Sequence, residues 1–477
     1  MKKVHPLILA GRCVHTSETL PVYSPYDGTH LWDVSLAGTR EVVEAREQAL
    51  EAFRELRHMP AYKRSEILSS IAISIREKKE EFARLIALEA GKPITFARVE
   101  VDRCSDLFEW ASEETKRWGG EVIPLDMDAL GENRLGINKR FPIGPVLAIT
   151  PFNFPLNLVA HKVAPALAVG NPVIVRPSSQ TPRAALLLGE IISSLSLPPG
   201  TISVLPCSTQ VAEEMVRDEA IAMLTFTGSP DVGWYLRGMA GRKRTTLELG
   251  GNAALVVDSL RFGEFLFSRT IVGAYYQAGQ VCISIQRVFV QRSLFEEFLH
   301  ELVERVKKVP TGDPMREETV CGPLISGEAA DRVCSWIEEA LQGGANLLVG
   351  GERVDGYPSL ITPCVLTNTT SEMKVNSREV FGPVITVEPY DEFEEAISMT
   401  NDSIYGLQAG VFTDDLSKAM YAYNNLEVGG VIINDIPTYR CDPMPYGGVK
   451  MSGCGREGIR YAMEEMTEGR LLALKYA

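Results

Sequence analysis

Apolar positions along the chain change period twice, and those changes divide it. Through the first forty residues short apolar runs alternate with turn chemistry such as Ser24-Pro25-Tyr26-Asp27-Gly28, which predicts short strands and turns. Residues 39–57 and 61–90 then repeat at helical spacing, with Ile67, Leu68, Ile71 and Ile75 on one face. Gly91-Lys92-Pro93 supplies a stop signal for the second helix, and a further amphipathic helix is expected over 95–116. From Pro145 the rhythm becomes strand then helix. Strands are expected at 146–150, 173–176, 202–206, 222–226 and 245–248, with helices at 157–169, 182–195, 209–217 and 230–239 between them. Apolar strands alternating with helices require a parallel sheet covered on both faces, and such a doubly wound sheet binds nucleotides at the carboxyl ends of its strands. A second alternating series runs from about 252 to 440, and 120–143 reads as two polar strands of a protruding hairpin. No internal repeat or low-complexity linker interrupts the pattern.

Composition narrows the class. At 477 residues the chain exceeds one ordinary core, so two or three domains are expected. With 45% hydrophobic and 23% charged residues it has the make-up of a soluble globular protein. A net charge of -14 without any basic block argues against nucleic acid or a membrane surface as partner, although a local basic pocket can still hold an anion. No stretch approaches the ~20 apolar residues of a membrane span. The opening Met1-Lys2-Lys3 resembles the start of a signal peptide, but Pro6 and Gly11-Arg12 cut the apolar run short. Nine scattered cysteines read as reduced thiols of a cytoplasmic protein, and six histidines outside metal-ligand spacing predict no metal site.

Three short stretches carry candidate chemistry. Cys282 sits in Tyr276–Ser284, between the helical pattern of 261–279 and the strand pattern of 285–291. Glu248 is flanked by Leu247 and Leu249 and followed by Gly250-Gly251, an apolar setting that raises a carboxyl pKa toward the range of a general base. Asn153 lies in Pro151-Phe152-Asn153-Phe154-Pro155, directly after a sheet strand. Singly, each has an ordinary explanation: a packed thiol, a solvated strand end, an Asx turn. Together they offer the nucleophile, base and oxyanion donor of covalent acyl chemistry.

The order and wording of these stretches resemble the aldehyde dehydrogenase superfamily over nearly the whole chain. The resemblance implies two doubly wound parallel-sheet domains plus a small oligomerisation hairpin. The dinucleotide-binding domain would comprise 1–119 and 144–252, the catalytic domain 253–442, and the oligomerisation segments 120–143 and 460–477. It further implies that Cys282 attacks an aldehyde to form a thiohemiacetal, that hydride leaves to a nicotinamide, and that Glu248 activates the water that hydrolyses the thioester. Asn153 and the Cys282 backbone N–H would hold the oxyanion, with Lys162 in support. The tail would add a strand to a partner subunit's sheet, in a homodimer or homotetramer.

No G-x-G-x-x-G follows a strand. Phe226-Thr227-Gly228-Ser229 instead ends one strand and opens a helix at Pro230, a setting whose free N–H groups attract phosphate. By the resemblance, Gly228 and Ser229 meet the pyrophosphate, Glu379 the nicotinamide ribose and Phe381 the ring. The glycines of Pro445–Gly453 would allow a close backbone pass. Arg176 stands where many members carry Lys, and Ser179 where NAD-preferring members carry Glu. A guanidinium without that carboxylate suits a 2′-phosphate, so NADP or NAD is expected, with the balance toward NADP. Arg103 and Arg440 could line the substrate entrance, which would suit a small hydroxylated or anionic aldehyde such as lactaldehyde; a surface ion pair is the competing role. A CoA-dependent acylating enzyme, a cysteine thioesterase or acyltransferase, and a non-catalytic relative are the remaining alternatives.

Overall fold

The strands expected after residue 145 fall into two large sheets in the computed structural model, which describes residues 4–476; Met1-Lys2-Lys3 of the signal-like opening and the last residue of the tail lie outside the described residues. The first sheet has eight strands, in the order Gly453–Cys454, Arg244–Glu248, Met223–Thr227, Val146–Ile149, Val173–Arg176, Ile202–Val204, Leu7–Leu9 and Arg12–Val14. Its five central strands are parallel, and antiparallel strands close both edges. All four residues of Val146–Ile149 are buried, as a strand covered by helices on both faces requires. Chain order reverses between Val146–Ile149 and Met223–Thr227, and the crevice beyond such a reversal is where α/β sheets hold ligands.

The second sheet has seven strands, in the order Asn346–Val349, Cys364–Thr367, Val384–Tyr390, Arg287–Gln291, Ala254–Val257, Gln408–Phe412 and Gly430–Ile433. It is parallel except for its first strand. Both sheets are thus mixed only at their edges, and the expected α/β architecture holds. The helix Asn157–Val169, largely apolar, is buried at every one of its 13 residues.

Two local expectations are corrected. The stretch 61–90 is two helices, Ala61–Glu77 and Lys79–Ala90, because Lys78 leaves helical geometry at φ -100, ψ 20. The helix before Cys282 ends at Tyr275, with Gln277 and Ala278 in left-handed backbone. The tail strand Thr467–Lys475 pairs with Arg134–Pro142 of its own chain and stands at the edge of that sheet. The helix Ile459–Glu465 delivers the tail there, and Arg140 fixes it through Thr467 Oγ1 (2.7 Å) and the carbonyls of Glu464 and Thr467. With Glu121–Pro124 these strands make a three-stranded antiparallel sheet.

One buried ion pair ties helix to loop. Lys92 is fully buried against Glu100, and the other Glu100 oxygen accepts from the N–H groups of Leu156 (3.0 Å) and Asn157 (3.1 Å) at the start of the central helix. The ammonium lies 3.6 Å from the centre of the Phe154 ring. Burial pulls Lys92 down to about 8 despite Glu100. Removing one partner strands the other charge in the interior. Lys92→Met is expected to lower the stability of the first domain by about 3–5 kcal/mol, seen as a lower denaturant midpoint, with Glu100→Leu in the same chain restoring part of the loss.

Candidate active site

Cys282 reaches its position through a strained bend. Gln277 (φ 53) and Ala278 (φ 55) occupy the left-handed region, which costs non-glycine residues on the order of 1–3 kcal/mol each. Buried side-chain bonds hold the bend. Gln277 Nε2 donates to the Asn153 carbonyl at 2.6 Å, and Gln280 Nε2 donates to the carbonyls of Gln277 (3.1 Å) and Pro323 (3.2 Å) while its Oε1 accepts from Ile325 N–H at 2.9 Å. The bend delivers Cys282 into an apolar cluster with Phe154, Tyr276, Ile283, Leu407 and Tyr446. Its Sγ shares a 3.0 Å hydrogen bond with the Tyr446 hydroxyl. Burial pushes the thiol up to about 12; the Tyr446 bond and the Arg440 charge pull the other way, so the resting group is a neutral thiol.

Glu248 ends the strand Arg244–Glu248 and is 3% exposed, yet neither carboxyl oxygen has a hydrogen-bond partner among the described residues. Burial first, then the neighbouring charge of Glu457, hold its pKa well above the ordinary carboxyl value. The backbone at Gly447 passes so close that a Cβ there would lie 2.8 Å from Glu248 Oε1, and a Cβ at Gly251 would lie 2.7 Å from the Cys282 carbonyl. These approaches join the first sheet, the Cys282 segment and the C-terminal loop. Asn153, also buried, donates Nδ2 to the Gln280 carbonyl at 3.0 Å, while its Oδ1 has no partner. The three sequence-predicted groups therefore converge on the segment Gln277–Cys282.

Behind them lies a buried ionic network. Asp442 receives Arg103 through Nε (3.0 Å) and Nη2 (2.5 Å) and His161 Nε2 (3.0 Å). Glu457 receives Lys162 at 2.9 Å and Arg440 at 3.1 Å. The Arg440 guanidinium stacks 3.7 Å from the Tyr446 ring centre. Burial would raise Glu457, but Lys162, His161 and Arg440 outweigh it and hold it at about 2; Arg103 and His161 likewise keep Asp442 low. Arg103 and Arg440, expected at the substrate entrance with a surface ion pair as the competing role, are ion-paired with these buried acids, and Arg440 Nε has no hydrogen-bond acceptor among the described residues. Tyr446, Gln277, Asp442 and Glu457 escaped sequence reasoning. Only Tyr446 carried a signal, since it stands beside the glycines of Pro445–Gly453.

A cavity of about 290 Å³ opens at the strand-order reversal, lined by Thr150, Arg176, Ser178, Thr227, Gly228 and Ser229 among others. Arg176 Nε, Thr150 Oγ1 and Thr227 Oγ1 are buried there without partners. Ser229 precedes the helix Pro230–Met239 without capping it through its side chain, leaving first-turn N–H groups for a phosphate. These unspent donors fit a dinucleotide. Ser179 is exposed and Ser178 lines the cavity in its place. Glu213 also lines it, tied to Arg217 at 3.0 Å. Glu379 and Phe381 lie outside the lining: Glu379 accepts from Gly251 N–H at 3.0 Å, and the Phe381 ring packs edge-on against Phe152 at 5.8 Å. Burial raises Glu379 to about 7. Among the described residues no cluster of His, Cys, Asp or Glu is placed to hold a metal ion.

Sheet order, crevice and buried thiol define an α/β oxidoreductase frame, and comparison with known proteins fixes the family. Residues 14–471 match the aldehyde dehydrogenase family, and the chain belongs to it as an NAD(P)-dependent enzyme that oxidises an aldehyde. It is 42% identical over 473 residues to 3-sulfolactaldehyde dehydrogenase of Priestia aryabhattai, covering 99% of this chain and 98% of the relative. Aldehyde dehydrogenase 21 of Physcomitrella patens, solved with its reaction product succinate, superposes with a TM-score of 0.98 at 42% identity, covering 100% of this chain and 99% of that one. Glyceraldehyde-3-phosphate dehydrogenase GapN of Methanocaldococcus jannaschii, solved with NADP, gives 0.92 at 38% identity, covering 97% and 100%.

The Tyr446 hydroxyl is placed to stabilise the Cys282 thiolate, and a hydrogen bond to a charged group is worth roughly 1.5–3 kcal/mol. Tyr446→Phe is therefore expected to slow alkylation of Cys282 by iodoacetamide at pH 9 by about tenfold or more, followed by peptide-resolved mass spectrometry. An unchanged rate contradicts this placement.

Proposed function

We propose that the enzyme oxidises a small aldehyde bearing an anionic group, of which a hydroxylated one such as lactaldehyde or a sulfonated or carboxylated relative is the type. Cys282 serves as nucleophile, Glu248 as base and Asn153 as oxyanion donor. The observation that carries the reading is Glu248: a buried carboxyl with no hydrogen-bond partner, beside the loop that packs on the buried thiol.

Glu248, once ionised, takes the thiol proton through a water molecule. Tyr446 donates to the sulfur as its charge develops, and the thiolate attacks the carbonyl carbon. Asn153 Nδ2 and the Cys282 N–H meet the new oxyanion; losing one such donor costs on the order of 3 kcal/mol. A nicotinamide bound in the crevice would supply the acceptor for the hydride that leaves the tetrahedral carbon. Cys282 is then held as a thioester. With the first proton passed on to solvent, Glu248 is again ionised and removes a proton from a water molecule; the hydroxide adds to the acyl carbon, the C–S bond breaks, the departing thiolate takes up a proton, and the acid leaves. The apolar cluster around Cys282 keeps other water away.

Charge supports an anionic substrate. Three cations, Arg103, Lys162 and Arg440, face two ionised acids, Asp442 and Glu457, and Arg440 Nε has a hydrogen bond to give. The sulfonated, dicarboxylate and phosphorylated compounds in the names of the relatives agree in sign. Arg176, with its unspent Nε, and serines at 178 and 179 favour NADP over NAD, and Arg217 tempers the negative charge of Glu213. Exposed Leu471, Leu472 and Leu474 on the tail strand favour a homodimer or homotetramer. Nine free cysteines, and no helix among the described residues long and apolar enough to cross a membrane, agree with a cytoplasmic site of action.

Nucleotide reduction with NAD and NADP tests the reading across lactaldehyde, succinic semialdehyde, glyceraldehyde-3-phosphate and a plain aliphatic aldehyde. Turnover is expected to need Cys282 and to favour NADP with an anionic aldehyde. Arg103→Gln should raise KM for that aldehyde about tenfold or more and leave the aliphatic one little changed; equal effects on both would refute the anion role. The raised Glu248 pKa also sets a pH dependence, since a base works only ionised. The acid limb of kcat should lie well above the ordinary carboxyl range, activity being lost as pH falls through the raised value. A plateau persisting to pH 5 would exclude Glu248 as the base.

A further inference from the structure

The oxyanion donor is anchored through a closed circuit of buried contacts. Asn153 Nδ2 bonds the Gln280 carbonyl at 3.0 Å, and Gln280 binds the loop 320–325 through the Pro323 carbonyl (3.2 Å) and the Ile325 N–H (2.9 Å). That loop presses on the turn Gly91-Lys92-Pro93: a Cβ at Gly91 would lie 2.5 Å from Pro323 Cγ, and Gly322 leaves no room for a Cβ beside the Gly91 carbonyl. The turn sets Lys92 against Glu100. Glu100 Oε1 leads back to the start by accepting from the N–H groups of Leu156 (3.0 Å) and Asn157 (3.1 Å), just after Asn153 in the chain. The Lys92 ammonium covers the ring of Phe154, which lies between them. Asn153, Gln280, Lys92 and Glu100 are each at most 3% exposed, so bulk solvent does not compete for these bonds.

The turn 151–155 has little with which to hold itself. Pro151 and Pro155 have no N–H to give, and the helix that follows opens at Asn157 with first-turn N–H groups that need an outside acceptor. Glu100 is that acceptor. We propose that Glu100 is a positioning residue of the oxyanion hole, fixing the turn that carries Asn153 against the Cys282 segment, with Lys92 holding the carboxylate in place. The inference rests on Asn153 as oxyanion donor and extends that reading to the ion pair behind the turn. An oxyanion donor works only when it is aimed before the charge develops, and misplacing it by ~1 Å costs on the order of a hundredfold. A buried carboxylate needs a cation beside it, which accounts for Lys92. A neutral amide oxygen could accept the same two bonds, so charge and acceptor are separable. A pair that served stability alone would give a different outcome: activity would then follow the fold, whatever acceptor stands at position 100.

Two double variants of the full chain make the separation. Lys92→Met with Glu100→Gln and Lys92→Met with Glu100→Leu both remove the buried charges, but only the glutamine keeps an oxygen for the Leu156 and Asn157 N–H groups. Nucleotide reduction is followed with succinic semialdehyde and with propionaldehyde, below the melting range of each variant. The leucine form is expected to have a kcat at least about tenfold below that of the glutamine form, with KM within about twofold. In an Asn153→Ala background the gap should shrink to less than about twofold, because both changes act through the same amide. Equal kcat in the two forms overturns the proposal, and so does a gap of about tenfold that persists without the Asn153 amide. The glutamine form alone is expected within about threefold of wild type, so a loss of about tenfold there overturns the proposal even where the leucine form does not fold. Wild-type kcat in Asn153→Ala alone would remove the oxyanion reading itself, and the inference with it.

Discussion

Buried charge holds this molecule's working centre together. Arg103 on one helix, His161 and Lys162 on another, and Arg440, Asp442 and Glu457 near the C-terminus meet in one network. Charges withdrawn from water survive only when each finds a partner, so the C-terminal segment has one place to lie. That segment carries Tyr446, which reaches Cys282, and Gly447, which presses on Glu248. The same network sets the electrostatics: Glu457 stays ionised on its cations, and its charge helps keep Glu248 protonated at rest. Burial thus keeps both the Cys282 thiol and the Glu248 carboxyl neutral at rest.

Much of the fold was legible because its signals are local. Short, largely apolar runs between helical patterns read as covered strands, and 146–149, 173–176 and 223–227 are those strands. Cys282, Glu248 and Asn153 were each readable within their own short stretches. The break at Lys78 and the left-handed pair Gln277-Ala278 were not, because neither residue type disfavours a helix. The backbone turns there because of partners supplied from elsewhere, such as the Asn153 carbonyl that Gln277 binds. The tail's neighbour within the chain was not legible either: an apolar strand announces that it needs one but not which, and Arg140, 327 positions from Thr467, bonds it beside Arg134–Pro142.

Pairing across long separations also explains what sequence reasoning missed around the site. Arg103 and Arg440 have the composition of surface residues; Arg103 is held by Asp442, 339 positions along the chain, and Arg440 by Glu457, 17 positions along. Tyr446 stood in a stretch whose glycines drew the attention. On the cofactor side the difference is one residue: Ser178 faces the cavity and Ser179 faces out, a distinction of backbone direction after a strand that composition does not encode.

The central claim is that Cys282 carries the acyl group and Glu248 releases it. Glu248→Gln, mixed with aldehyde and nucleotide, separates the two steps in one mass spectrum. The account predicts a burst of about one reduced nucleotide per subunit and an acyl mass on the Cys282 peptide that persists because deacylation has lost its base. Steady turnover at the wild-type rate, or an adduct on any other residue, would contradict it.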